Sequence, residues 1–137
     1  MDNTIFKKIW SDNDFFEAKI SFITKSVSVS IDTYLTEDMM NNFSQIILLF
    51  LDKREYPATF EIGERNDDYP YIKIDFSKFD SHGNAIIEVY IECYSDDYDK
   101  RYYNYFPMIL EHGLLFTFAK NILKLSNASV DEEISVI

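Results

Sequence analysis

Apolar and polar residues alternate with a period of two in four stretches of this 137-residue chain, and they recur at helical spacing in two others. In the first stretch Phe16, Ala18, Ile20 and Phe22 stand against Glu17, Lys19 and Ser21. After a turn near residues 24–26, Val27, Val29 and Ile31 stand against Ser28, Ser30 and Asp32. Successive side chains of a strand point to opposite faces, so these two runs predict a hairpin with one wet face. Thr36 followed by Glu37 and Asp38 is a helix start, a capping hydroxyl ahead of two acids that suit the positive end of the helix dipole. Met39, Met40, Phe43, Ile46, Ile47 and Phe50 then place a helix over residues 37–52, with Leu48 and Leu49 widening its apolar stripe and Pro57 marking the exit.

Beyond it a short strand is expected over residues 59–62. Ile72, Ile74 and Phe76 then alternate with Tyr71, Lys73 and Asp75 in a longer strand. The turn at residues 80–84 contains Gly83, the residue best able to take a positive φ. The strand that returns from it has Ile87, Val89, Ile91 and Cys93 on one face and Glu88, Tyr90, Glu92 and Tyr94 on the other. A further strand over residues 103–110 contains Pro107, which has no N–H to donate and so belongs at a sheet edge. A closing helix over residues 111–125 turns Leu115, Phe118, Ala119, Ile122 and Leu123 to the core. Residues 1–13 hold the anchors Phe6, Ile9 and Trp10 without a clear period, and the tail 126–137 is compatible with both a loose and a docked arrangement.

The order β-β-α-β-β-β-β-α predicts a single α+β domain over residues 1–137: an antiparallel sheet of about six strands with both amphipathic helices on one face. The other face is then free for solvent or a partner.

Composition sharpens this picture. Twelve Phe can fill the core, but ten Tyr exceed what a core of this size can satisfy through buried hydroxyls, so several belong at the surface. The net charge is −11, and between Glu61 and Asp99 eleven acids face three bases. Phosphate backbones and anionic membranes are disfavoured as partners, because both are held by Lys and Arg. A basic protein would be steered in, although an acidic surface also serves plain solubility. The single cysteine can form no internal disulfide, and no secretory signal pattern is seen, so a cytoplasmic location is expected.

Catalytic patterns are scarce. Cys93 would need His82 or His112 to activate it, yet it shares a face with Val89 and Ile91, where a free thiol acts as a small hydrophobe. No zinc-type spacing occurs, and Asp96, Asp97, Tyr98 and Asp99 lack the arrangement of a calcium loop. Gly63, Gly83 and Gly113 are too far apart to cradle a phosphate. Glu88 and Glu92 are about 13 Å apart along a strand, beyond the reach of a simple acid–base pair; a cross-strand acid such as Asp75 could come closer, but nothing in the sequence demands it. The expectation is therefore a protein without cofactor or metal and without enzymatic activity. Its candidate partner-binding residues are Glu88, Tyr90, Glu92, Tyr94, Asp96, Asp97, Tyr98 and Asp99. An ordinary polar sheet face is the competing account of the same stripe.

The order of features resembles the WapI-like small immunity proteins of contact-dependent bacterial toxins. FITKSVSVSIDTYLT at residues 22–36, MNNFSQII at 40–47, GNAIIEVYIE at 83–92 and the closing helix LLFTFAKNILKL at 114–125 carry the resemblance. It implies a cytoplasmic bacterial protein that binds and blocks a cognate toxin domain, often a nuclease. The family pattern supplies no catalytic residues to transfer. Two other classes stay open: a subunit that pairs with itself through its sheet face as a homodimer, and a small enzyme using Cys93.

Overall fold

A computed structural model describes residues 1–53, 58–65, 69–95 and 100–137. The α+β class holds, but the single sheet with both helices on one face does not: among the described residues eight strands form two four-stranded antiparallel sheets. The elements are β1 (Asn3–Ser11), β2 (Phe16–Ile23), β3 (Ser28–Leu35), α1 (Glu37–Lys53), β4 (Ala58–Ile62), β5 (Tyr71–Phe79), β6 (Ala85–Ser95), β7 (Lys100–Leu110), α2 (His112–Asn121), a 3-10 helix (Ile122–Asn127) and β8 (Glu133–Ser135). The first sheet has the order β3-β2-β1-β8 and the second β4-β5-β6-β7.

The first sheet was hidden by two polar residues at inward positions. In β1 the inward side chains are Thr4, Phe6 and Lys8, all buried. Lysine in that series destroys the apolar alternation, and a register shift between Lys8 and Trp10 disturbs it again. Lys8 is tolerated because Nζ donates to the carbonyls of Ser126 and Ala128, each at 2.9 Å, and lies 5.0 Å from the Phe16 ring centroid. Those carbonyls close the 3-10 helix, so the same contact fixes the tail. The tail is docked: β8 pairs with β1, and Val136 is buried with its N–H donating to Thr4 O. The closing helix is shorter than its periodicity suggests, because the α-helix stops at Asn121 and continues as the 3-10 turn.

Leu123, expected in the core, is instead 41% exposed, because it lies in the 3-10 turn beyond Asn121, but several local expectations are met. Thr36 Oγ1 accepts from Met39 N–H at 3.2 Å and caps α1. Gly83 has φ +83° in the turn that Asp80 holds by accepting from the N–H groups of His82 and Asn84. β7 is an edge strand, as Pro107 requires. The exit at Pro57 and the loop residues Asp96, Asp97, Tyr98 and Asp99 lie outside the described residues.

Both sheets and both helices share one core, and Phe43 of α1 is where they meet. Its ring is 4.3 Å from Phe60 (β4), 5.7 Å from Phe6 (β1), 6.2 Å from Phe118 (α2) and 6.3 Å from Phe76 (β5), centroid to centroid. The sheets also touch directly through Phe22 and Phe106, whose rings are 6.1 Å apart. Ser44 Oγ donates to Ala119 O at 2.6 Å and ties α1 to α2. Phe43→Ala should cost about 3–5 kcal/mol, the usual loss for a buried Phe. Urea unfolding followed by far-UV circular dichroism and by Trp10 fluorescence should give coincident midpoints, since one core serves both sheets. Separate midpoints for the two probes would refute a shared core.

Candidate functional site

The outward face of the second sheet is built from cross-strand rows. Thr59, Asp75, Glu88 and Pro107 form one row, Glu61, Lys73, Tyr90 and Tyr105 the next, and Tyr71, Glu92 and Tyr103 a third, with Arg101 opposite Tyr94 beyond. Glu88, Tyr90, Glu92 and Tyr94 thus share the face that the alternation assigns them. They are not equally available. Glu92 is 1% exposed, lying between Arg101 Nε at 2.9 Å and Arg65 Nε at 3.4 Å. Its carboxylate is spent on holding two arginines, and it is no open contact for a partner. Arg65 in turn lies 5.7 Å from the Tyr90 ring centroid and, like Tyr90 Oη at 3.3 Å, donates to Glu92.

Asp75 and Glu88 are directly opposite one another on β5 and β6. Like charges in that position repel, and each is offset by a donor. Thr59 Oγ1 donates to Asp75, with Lys73 Nζ at 3.5 Å, and Tyr105 Oη donates to Glu88 at 2.7 Å. The two carboxylates line a surface hollow of about 240 Å³ together with Arg65, Tyr71, Lys73, Tyr90 and Tyr105. The alternation along one strand could not reveal this pair, because Asp75 and Glu88 come together only through strand register. Tyr71 is buried and donates to Glu61 at 2.7 Å; burial, then that hydrogen bond, pushes its phenol up to about 12.

Beside the hollow, β7 exposes Tyr102, Tyr103 and Tyr105. Its hydrogen-bonding phase follows from two residues. Pro107 is opposite Glu88 and has no N–H, and Ile109 N–H donates outward to Asp2 Oδ2 at 2.8 Å. Residues two apart share a direction, so the backbone groups of Tyr103 and Tyr105 also point away from β6. The edge is blunted at Pro107 and Ile109 and open at Tyr103 and Tyr105, for which no backbone partner occurs among the described residues.

The candidate thiol is far from either histidine. Cys93 is half-buried against the core and pairs in register with Tyr102, while His82 and His112 lie near the Ala85–Leu110 end of β6 and β7. Eight residues of strand separate Ala85 from Cys93, about 26 Å. Burial, then the charge of Glu92, pushes the Cys93 thiol up, away from the reactive range. Among the described residues no three His, Cys, Asp or Glu side chains gather as a metal site, and no helix is long and apolar enough to cross a membrane.

Two measurements check this electrostatic arrangement. Arg101→Met leaves Glu92 buried with Arg65 as its partner and should cost about 1–3 kcal/mol, less than for a fully sequestered pair because Arg65 is largely exposed. Tyr71 binds its proton more tightly folded than unfolded, so its contribution is fully present below about pH 10 and is lost as pH rises toward about 12. Urea unfolding between pH 8 and pH 11 (a range set by the ordinary Tyr value of about 10) should therefore show a shallower alkaline loss in Tyr71→Phe than in the parent chain. An identical slope would contradict the assignment. In comparisons with known proteins, the chain matches no family model, no curated protein and no solved structure.

Proposed function

We propose that the protein is a non-enzymatic binding protein of the immunity type, which neutralises a cognate toxin domain by covering it. The observation that carries the reading is the hollow on the second sheet. Asp75 and Glu88 face each other across two strands, with Tyr90 and Tyr105 as walls. Lys73 already lies 3.5 Å from Asp75 and Arg65 lines the same hollow, so an incoming guanidinium or ammonium would pair chiefly with Glu88, and tyrosines give contact area with a polar tip. The net charge of −11 would speed encounter with a basic protein and make the rate salt-sensitive. A nuclease domain, which must itself be basic to hold phosphates, is the partner class that fits this charge best.

The tests use the product of the neighbouring gene, the position in which a cognate toxin would be encoded. Co-expression should restore growth and yield a stable complex. Glu88→Lys, at a half-buried side chain of the hollow, should weaken that complex at least tenfold without loss of fold, since a charge reversal against a basic partner costs more than about 1.4 kcal/mol. No complex and no protection would sink the reading. A second reading, self-pairing, is favoured by the open backbone at Tyr103 and Tyr105. It requires a dimer in sedimentation equilibrium that Tyr103→Pro abolishes.

A further inference from the structure

A second surface, on the outward face of the first sheet and reaching Tyr69 ahead of β5, has the makings of a cation-recognition site. Four aromatic rings stand in a chain across it: Trp10 to Phe15 at 5.6 Å, Phe15 to Tyr34 at 5.3 Å and Tyr34 to Tyr69 at 6.1 Å. All four side chains are exposed, Trp10 at 45%, Phe15 at 37%, Tyr34 at 44% and Tyr69 at 61%. Trp10 and Phe15 flank the β1–β2 turn, Tyr34 comes from β3 and Tyr69 from the segment ahead of β5, so the fold assembles the row from separate parts of the chain. Clustered exposed aromatics of this kind mark an interaction surface more often than scattered ones.

Asp12 Oδ1 accepts from Asp14 N–H at 2.8 Å and Phe15 N–H at 3.0 Å, which fixes the turn that presents Phe15. Glu17 stands between Trp10 and Tyr34 in the strand register. A hollow of about 500 Å³ lies along Phe15, Tyr34 and Tyr69, and the adjoining one shares Phe15 and is lined by Asp12, Asp14 and Glu37. Among the described residues neither hollow is lined by Lys or Arg. The nearest bases in register are Lys7 and Lys19, one row further along the outward face, and they bound the site on that side.

We infer that this surface binds an arginine-bearing segment of a protein partner, the guanidinium lying on the rings and paired with the surrounding carboxylates. Aromatic faces attract cations, arginine best among side chains because its plane stacks and sheds water easily. The acids exclude the other occupants that aromatic rows commonly take. Single-stranded nucleic acid would bring phosphates against Asp12, Asp14, Glu17 and Glu37. Anionic lipid would meet the same repulsion. A second copy of the chain would bring its own −11. This inference does not depend on the reading of the second sheet, and either can fail alone.

Trp10 is the sole tryptophan and part of the row, so its fluorescence reports occupancy directly. The probe is the peptide acetyl-Gly-Arg-Gly-Arg-Gly-amide, with a control in which citrulline replaces arginine and removes only the charge. A saturable change is expected with the arginine peptide and none with the citrulline peptide. Tyr34→Ala and Glu17→Gln, both outward on the sheet, should each weaken binding roughly fivefold while the urea midpoint stays put. Ile109→Ala, at an exposed position of the other sheet, should leave it unchanged. Equal responses to the two peptides, or full affinity in Tyr34→Ala, would overturn the inference. So would a concentration-dependent Trp10 shift without peptide, which would assign the surface to self-association.

Discussion

Phe43 has to satisfy both sheets and both helices at once, and the rest of the architecture follows from that constraint. Its ring touches Phe6 of the first sheet, Phe60 and Phe76 of the second, and Phe118 of α2. An aromatic side chain buries a large area and adds geometry-dependent ring contacts, so four partners around one ring make a strong common anchor. Because the inward faces are consumed by this core, whatever the protein recognises must be met by the outward faces. Those faces are correspondingly polar and tyrosine-rich.

Two buried charges show how the fold handles exceptions. Lys8 is neutralised by no carboxylate among the described contacts and instead donates to the two carbonyls that end the 3-10 helix. Glu92 takes the other course, with an arginine on each side. Burying a charge is expensive unless it is paired or hydrogen-bonded, and both solutions spend the group on structure. Lys8 fastens the tail to β1, and Glu92 braces the second sheet's outward face. Neither role can be read from residue type, since a lysine and a glutamate in strands ordinarily signal a wet position.

That is why the sequence was legible in some places and misleading in others. The β2–β3 hairpin, α1 with its Thr36 cap, the Gly83 turn and the edge position of β7 all rest on local chemistry, and local pattern located them. β1 was missed because Thr4 and Lys8 occupy inward positions, and β8 because three residues carry too little pattern to register. With those two strands unseen, one sheet was expected where there are two. At the candidate site the alternation placed Glu88, Tyr90, Glu92 and Tyr94 on one face correctly. It could not tell that Glu92 is covered, nor that Asp75 stands opposite Glu88, because both facts are set by cross-strand register and by Arg65 and Arg101 arriving from elsewhere. The aromatic row of Trp10, Phe15, Tyr34 and Tyr69 had no sequence signal at all, its members being scattered over 60 residues.

On the proposed reading, the shared core carries two recognition surfaces, while partial burial pushes the Cys93 thiol up. The face of the second sheet combines the opposed acids of its hollow with a strand edge open at Tyr103 and Tyr105. A toxin domain that covered this face would slow exchange there without disturbing the core. Hydrogen–deuterium exchange of the protein alone and in complex with the neighbouring gene's product tests this most directly. The account predicts new protection at the Tyr103 and Tyr105 amides, with little change across the first sheet's β2–β3 hairpin. Protection confined to β3 or to α2, with Tyr103 and Tyr105 exchanging as freely as before, would contradict it.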